Sequence, residues 1–237
     1  MNNKILVWAL GAVIVVLGVC VVAGYLLAPV VSNLAGISLS GASGPSVTES
    51  RDVANFSTVD FGSVGELTIT QGDHEGLTIQ AEERILRQIK TEVKDGVLTI
   101  HAAPNNLASL NTNKGIYYNL TVIRLDGITL AGAGDIHARN IQSDRLSVTL
   151  SGGGTLEMGG EVGQQSVLLS GAGKYDGGNL KSRSAVVNLT GVGSATVWAT
   201  DSLDAKITSV GSIEYYGNPR VTKEISGLGS INGLGSK

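Results

Sequence analysis

Apolar and polar residues alternate in short runs along the second half of the chain, as they do in strands with one buried face. Four of the five clearest runs alternate in this way, and the run at 166–169 is more continuously apolar. These runs are 146–150, 166–169, 185–189, 203–207 and 221–225. Shorter runs such as 195–198 and 212–216 lie between them, so each unit of this stretch is predicted to contain two strands.

One phrase separates the units: an aliphatic residue, a small residue and then Gly-x-Gly. The first glycine position of the phrase recurs after 20, 19, 20, 18 and 18 residues. We interpret the glycines of these phrases as corner residues, where a left-handed or crowded backbone excludes a Cβ atom. They are Gly132, Gly134, Gly152, Gly154, Gly171, Gly173, Gly191, Gly193, Gly211, Gly227 and Gly229, with Ser209 in the remaining place.

A fixed period of this length predicts coils that stack, because a single unit has too little apolar area to fold alone. Equivalent strands of neighbouring coils would then lie about 4.7–4.9 Å apart. The predicted fold class is all-β, a parallel β-solenoid (β-helix) with repeats from about residue 130. An antiparallel sandwich is the alternative, but it gives no reason for one phrase to recur at a fixed phase.

The region before the repeats, residues 51–131, is predicted to form a hairpin-containing cap on the first coil. Residues 65–70 and 77–81 alternate on either side of a polar turn and are predicted to pair as a hairpin. The Asp95-Gly96 pair predicts a second hairpin between 91–94 and 97–100. Between them, the spacing of Ile85, Leu86 and Ile89 predicts a helix over 82–90.

The N-terminal segment 5–31 holds 27 residues without a charged side chain. A helix needs about 20 apolar residues to cross a bilayer core, so this segment predicts a transmembrane signal anchor. A cleaved signal peptide would have a shorter apolar region and a small-residue cleavage site. A lipoprotein signal at Cys20 would have a small residue where Val19 stands.

The charges around this segment predict its orientation. Lys4 precedes it, and no Lys or Arg follows until Arg51. The positive-inside rule therefore predicts a single-pass protein of the bacterial inner (cytoplasmic) membrane, with residues 1–4 in the cytoplasm. Residues 32–50 are rich in Gly and Ser and are predicted to be a linker. Residues 51–237 would form the periplasmic or extracellular ectodomain.

Composition and motifs argue against several functional classes. The net charge of −3 gives no electrostatic footprint for nucleic acid. Cys20 lies within the apolar run and the histidines are scattered at 74, 101 and 137, so we predict no metal site and no cofactor. The Gly-x-Gly phrases lack the third glycine of a dinucleotide fingerprint and the Gly-Lys-Ser/Thr of a phosphate loop. No aspartate recurs in phase, as calcium-binding repeats would require.

Two groups of side chains are candidates for function. Trp198, Tyr215 and Tyr216 fall at nearly matching offsets in neighbouring coils and form a possible interaction surface, because aromatic rings stack on sugars and on apolar partners. The other interpretation, which the position of these residues in the last coils favours, is that they pack or cap those coils. Asp201, Asp204 and Glu214, with Lys206 among them, are the nearest set to the clustered carboxylates of a polysaccharide-cleaving enzyme. Nothing in the spacing requires them to converge.

Several motifs in order along the ectodomain carry a family resemblance. They are Val53-x-x-Phe56, Gln71-Gly72-Asp73, residues 92–98, the repeated Gly-x-Gly phrases and the closing 229–233. In these motifs the chain resembles the GIN-domain family, the head domain of bacterial autotransporter adhesins. The resemblance implies a β-helical fold and an extracytoplasmic setting, and it implies no catalytic residues.

We therefore expect a binding or adhesion module in the bacterial cell envelope, with an envelope protein or a glycan as its partner, and not an enzyme. The alternatives are an accessory ectodomain of an envelope-stress or signalling system and, third, a polysaccharide-active enzyme. Oligomers are possible, since the edge strands at a solenoid end invite self-association unless they are capped.

Overall fold

The structure is a computed structural model that describes residues 44–102 and 114–237. The predicted cytoplasmic N-terminus 1–4, the signal anchor 5–31 and most of the linker 32–50 lie outside these residues. Within the described residues, no helix is long and apolar enough to cross a membrane. The end of the predicted linker is wrong, because residues from Ser46 onward form the first strand.

The described chain is almost entirely β-structure. Its one helix, α1, is Glu83–Leu86. The strands before the repeats are β1 (Ser46–Arg51), β2 (Thr58–Gly62), β3 (Val64–Gln71), β4 (Gly76–Glu82), β5 (Ile89–Lys94), β6 (Val97–Ala102), β7 (Tyr117–Val122) and β8 (Gly127–Leu130). The strands of the repeats are β9 (Ala133–Leu150), β10 (Gly153–Leu169), β11 (Ala172–Leu189), β12 (Val192–Ile207), β13 (Val210–Tyr216), β14 (Arg220–Ile225) and β15 (Leu228–Gly235).

The repeats form a parallel β-solenoid of about five turns, as the period predicts. Strands β9 to β12 are each nearly a whole coil, and each pairs in parallel with the next over most of its length. Register shifts between Met158 and Gly160, and between Gly177 and Lys181, divide each coil into two parts. We call the part that follows each Gly-x-Gly phrase the first side, and the part that precedes the next phrase the second side.

The stack begins one coil before the predicted start of the repeats. On the first side, β3 pairs in parallel with β9 and places Gly65 beside Gly134. On the second side, β2 pairs in parallel with β8, which pairs in parallel with β9. The corner between β2 and β3 contains Ser63 in the first glycine position, as a later corner contains Ser209. It lies 69 residues before Gly132 (132 − 63), so the period of the repeats does not predict it.

The two predicted hairpins have different outcomes. The prediction that 65–70 and 77–81 pair is wrong: β7 lies between them, parallel to β3 and antiparallel to β4. The Asp-Gly hairpin is confirmed, since β5 and β6 pair antiparallel around Asp95 and Gly96. Both turn residues have positive φ, 51° and 77°, as a type I′ turn requires.

The predicted helix over 82–90 is mostly wrong, because only one turn forms. Ile85 and Leu86 of α1 are buried, and Ile89 is buried as the first residue of β5. The same three side chains therefore reach the core by way of a turn followed by a strand. A stripe of three apolar residues fits both arrangements, and pairing with β6 favours the strand.

The corners are the tightest contacts of the stack. The amides of Ser151 and Gly152 both donate to the carbonyl of Leu130 one coil below, and Gly153 donates to Gly132 at 3.0 Å. The same pattern recurs one coil later, where Ser170 and Gly171 donate to Leu150. A Cβ atom added to any of the glycines at the first position of the phrase would overlap the backbone of the corner below. Glycine recurs at this position mainly because two backbones meet there.

The solenoid interior is filled by aliphatic rows, with two polar exceptions. Ser63 and Tyr118 are buried and hydrogen bonded at 2.8 Å, and burial raises the pKa of Tyr118 to about 12. In the second group, the Tyr175 hydroxyl donates to Gln165 at 3.0 Å, and Gln165 donates to Ser182 at 2.9 Å. Because each buried polar side chain has a partner, neither group carries the cost of an unsatisfied donor or acceptor.

A lysine closes the open C-terminal end of the interior. One interior row of the second side contains Val148, Val167, Val187 and Ala205, and its last member is Lys223. The Lys223 ammonium donates to the Ile231 carbonyl at 2.7 Å and lies 5.5 Å from the centre of the Tyr215 ring. An inward-pointing charge at the end of a sheet stack discourages further pairing.

Replacing a corner glycine should destabilise the stack. We expect Gly152→Ala in the fragment 44–237 to lower the free energy of unfolding by at least about 3 kcal/mol, since the new Cβ forces two backbones apart. Gly76→Ala is the matched control, because nothing lies within 4 Å of its added Cβ. Equal stabilities of the two variants in urea denaturation would contradict the corner interpretation.

Removing the charge of Lys223 should leave the C-terminal end of the solenoid interior free to self-associate. We expect Lys223→Leu to make the fragment 44–237 self-associate in a concentration-dependent way, which sedimentation velocity would measure. Lys206→Leu is the control, because Lys206 lies on the outer face of the same side and pairs with Glu224 at 2.7 Å. If both variants remain as monomeric as the parent, Lys223 does not protect the end.

Candidate functional site

The structure brings together two of the three predicted aromatic residues. Trp198 and Tyr216 are register neighbours on β12 and β13, and both point outward from the first side. Tyr215 pairs with the buried Val197 and packs against the core instead. Consecutive residues of a strand point to opposite faces, so adjacent tyrosines cannot share a surface. The predicted three-residue surface is therefore wrong for Tyr215.

The space between Trp198 and Tyr216 holds an ammonium group of the chain itself. The Lys237 nitrogen lies 5.5 Å from the centre of the Trp198 ring and 4.9 Å from that of Tyr216. It donates to the carbonyl of Gly178 and, at 2.7 Å, to Oδ1 of Asn179. We call these four groups the ammonium cradle. Two aromatic faces and two oxygen acceptors are the features that a desolvated cation requires.

Local backbone structure explains how the cradle forms. Residues 178–180 of β11 have no register partner on β12, so this coil bulges where the next coil does not. The bulge brings the Gly178 carbonyl and the Asn179 side chain towards the aromatic pair. A Cβ atom added at Gly178 would lie 3.3 Å from the Tyr216 ring, so glycine lets the ring approach the bulge.

The outer face of the first side carries an excess of carboxylates, and we call it the acidic face. Its carboxylates are Glu66, Asp135, Glu157, Asp176 and Glu214. Lys174 lies among them and contacts Asp176 at 3.0 Å. Hydrogen bonding to Asp176 raises the pKa of Lys174, and the charges of Glu157 and Glu214 add to this effect. A recess of about 390 Å³ on this face, which Arg139 also lines, shares Asn179 with the cradle.

A second surface, the polar groove, runs across the coils at the bend that opens the second side. Its volume is about 1690 Å³ and it spans strands β9 to β12. Arg145, Gln164, Ser184 and Ser202 lie in register along it, one from each coil. Arg183 and Asp201 also line it. The signal that could have revealed this groove is the recurrence of polar residues one or two positions before each second strand.

One end of the groove has a fixed charge pair. The Arg124 Nε donates to Asp126 at 2.6 Å, and Ser143 donates to the same carboxylate at 3.1 Å. Hydrogen bonding from Arg124 lowers the pKa of Asp126, with smaller contributions from Ser57 and Ser143. Asp126 therefore remains ionised over the physiological pH range. The groove offers donors and acceptors in rows about 4.8 Å apart, the spacing of the coils.

The carboxylates considered for polysaccharide cleavage do not form one site. Asp201 lines the groove, whereas Asp204 and Lys206 point outward from the second side of β12. Glu214 lies on the acidic face of the first side, across the core from them. Within the described ranges, no group of three His, Cys, Asp or Glu side chains could hold a metal ion.

The corner glycines are placed in two ladders that run along the stack. The first positions, including Gly152, Gly171 and Gly191, lie over one another, and so do the second positions such as Gly154 and Gly173. They surround no pocket and face their neighbours' backbones. Their contribution is to the fold.

Comparison with known proteins assigns the family. A profile described as "Putative auto-transporter adhesin, head GIN domain" matches residues 55–219. The chain belongs to the GIN-domain family. The resemblance inferred from the sequence motifs is thereby confirmed. Curated protein sequences give no significant match to this GIN-domain chain.

One similar solved structure agrees with this assignment, and two others are more distant. A "putative adhesin" from Bacteroides fragilis is 26% identical with a TM-score of 0.65, over 81% of this chain and 98% of that one. A "putative lipid binding protein" from Parabacteroides distasonis is 21% identical with a TM-score of 0.47, over 81% and 97% of the two chains. A "putative adhesin" from the same species is 16% identical with a TM-score of 0.45, over 81% and 98%.

Proposed function

We propose that this GIN-domain chain is a membrane-anchored binding or adhesion module of the bacterial cell envelope, and that its polar groove binds an extended, hydroxyl-rich glycan. The groove is the observation that carries the proposal. Its four in-register side chains repeat a polar contact at the spacing of the coils, which suits a linear ligand with repeating hydroxyl groups. Arginine, glutamine and serine supply the donors, and Asp201 supplies an acceptor.

The three carboxylates that the sequence singled out, Asp201, Asp204 and Glu214, lack the arrangement that polysaccharide cleavage requires. Retaining and inverting glycosidases both need two carboxyl groups on either side of the scissile bond, about 5–9.5 Å apart. Here Asp204 and Glu214 lie on opposite sides of the core, and Asp201 hydrogen bonds to Thr200 at 2.8 Å. The accessory ectodomain of a signalling system is the second candidate, favoured by the acidic face as a separate surface for a protein.

Truncation of two groove arginines should weaken glycan binding. We expect the double variant Arg145→Ala and Arg183→Ala in the fragment 44–237 to bind envelope polysaccharides at least tenfold more weakly, because each lost charge-assisted hydrogen bond contributes about 1.5–3 kcal/mol. A glycan array followed by calorimetry would measure this.

The matched control for this experiment is Arg87→Ala. Arg87 is an exposed arginine of the N-terminal cap that pairs with Glu83 at 2.7 Å, away from the groove. Glycan binding that is equally strong in the groove variant, the control and the parent would contradict the assignment of the groove. Absence of any glycan binding by the parent would remove the glycan from the proposal.

The proposed anchor makes a separate prediction about topology. We expect alkaline phosphatase fused after residue 50 to be active and the chain to remain in the inner-membrane fraction, because the positive charge precedes the apolar segment. Replacing residues 5–31 by a cleavable signal peptide is the control and should release an active soluble fusion. Release of the parent chain in the same soluble form would contradict an uncleaved anchor.

A further inference from the structure

The Lys237 side chain occupies a site with the properties of a binding site for an external ligand. Its ammonium is surrounded by four neutral groups, which are two aromatic faces and two oxygen acceptors. Among the residues that the structure describes, no acidic side chain forms an ion pair with Lys237.

The segment that carries this lysine is weakly held. Strand β15 ends at Gly235, and residues 236 and 237 have no strand partners. Lys237 is exposed as a whole, although its ammonium is placed in the cradle. The occupant is therefore a tethered side chain that can leave without breaking any strand pairing.

The surroundings of the cradle favour a positively charged ligand. Asn179 belongs both to the cradle and to the recess, which two carboxylates, Glu157 and Asp176, and one cation, Arg139, line. The raised pKa of Lys174 reports the same negative field from an independent group. A cation approaching along the acidic face would be attracted towards the cradle before it made contact.

We propose that the ammonium cradle of Trp198, Tyr216, Gly178 and Asn179 binds a lysine side chain of a partner polypeptide, with Lys237 as a tethered competitor. The present occupant shows that a four-carbon stem can deliver its ammonium to both acceptors. Since the cradle lies on the first side and the groove on the second, this surface would serve a protein partner separately from the glycan. The inference thus rests on the proposed binding function but does not depend on the identity of the glycan.

The experiment uses the full-length chain in detergent, labelled with 5-fluorotryptophan. Of its two tryptophans, Trp198 belongs to the cradle and Trp8 to the predicted anchor segment, and Trp8→Phe identifies the Trp198 resonance. The probe is N-acetyl-lysine methylamide, with the uncharged norleucine analogue as its control. The fluorine resonance of Trp198 is followed during titration of the parent and of Lys237→Gln.

We expect a saturable shift of the Trp198 resonance with the lysine probe and none with norleucine. Apparent binding to Lys237→Gln should be roughly fivefold tighter than binding to the parent, because the variant removes a tethered competitor of millimolar effective concentration. Tyr216→Leu in the Lys237→Gln background should abolish the shift. Tyr117→Leu, which removes an exposed tyrosine elsewhere on the same side, should leave it unchanged.

Three outcomes would overturn the proposal. Glucosamine that saturates the site while the lysine probe does not would assign it to amino sugars. The absence of a probe-induced shift in Lys237→Gln would make the cradle a fastening for the tail only. A shift that persists in Tyr216→Leu would place the probe elsewhere. None of these outcomes changes the groove, whose own test uses Arg145 and Arg183.

Discussion

The contact between stacked corners is the constraint on which the rest of this structure depends. At the corners that carry glycine in the first position, the backbones of successive coils approach so closely that a side chain there would overlap the carbonyl of the coil below. Where Ser209 takes this position, its hydroxyl donates to the carbonyl of Gly191. Two amides can share one carbonyl at a corner, as Ser151 and Gly152 share Leu130. This contact fixes which residue lies over which, and the register of the strands on both sides follows from it. Because strand register decides which residues face inward, the composition of the core also depends on the corners.

A stack built in this way has no internal reason to end, so its ends require residues that break the pattern. At the C-terminal end, Lys223 takes an interior position that is aliphatic in the coils below, and Tyr215 lies beneath its ammonium. At the N-terminal end, antiparallel strands β1 and β5 replace parallel ones and carry charges such as Glu49 and Lys94. At both ends, charge or antiparallel pairing hinders a further strand from pairing with the stack.

The sequence predicts those features that follow from local geometry or from the period. The Asp95-Gly96 turn is an example. It requires positive φ at two successive residues, which strongly favours an Asp-Gly pair, and it joins two strands that are neighbours in the sequence. The position of β7 between β3 and β4 could not be predicted, because strands that alternate equally well compete for the same neighbour and long-range packing decides between them. The coil that begins at Ser63 could not be predicted for a related reason. Strands β4 to β8 are inserted between it and the next corner, which breaks the period, while the parallel pairing of β3 with β9 remains.

The candidate functional features lie where coils depart from the repeat, and this follows from the same constraint. Residues that keep the period are committed to corners or to the interior, so they have little freedom to recognise a partner. The bulge at 178–180 exists on β11 and not on β12, and it supplies both oxygen acceptors of the cradle. The groove follows the bend at Gly163, where register also shifts and Arg183 passes close by. Periodicity therefore identifies the fold of such a chain, whereas its function has to be sought among the residues that interrupt the period.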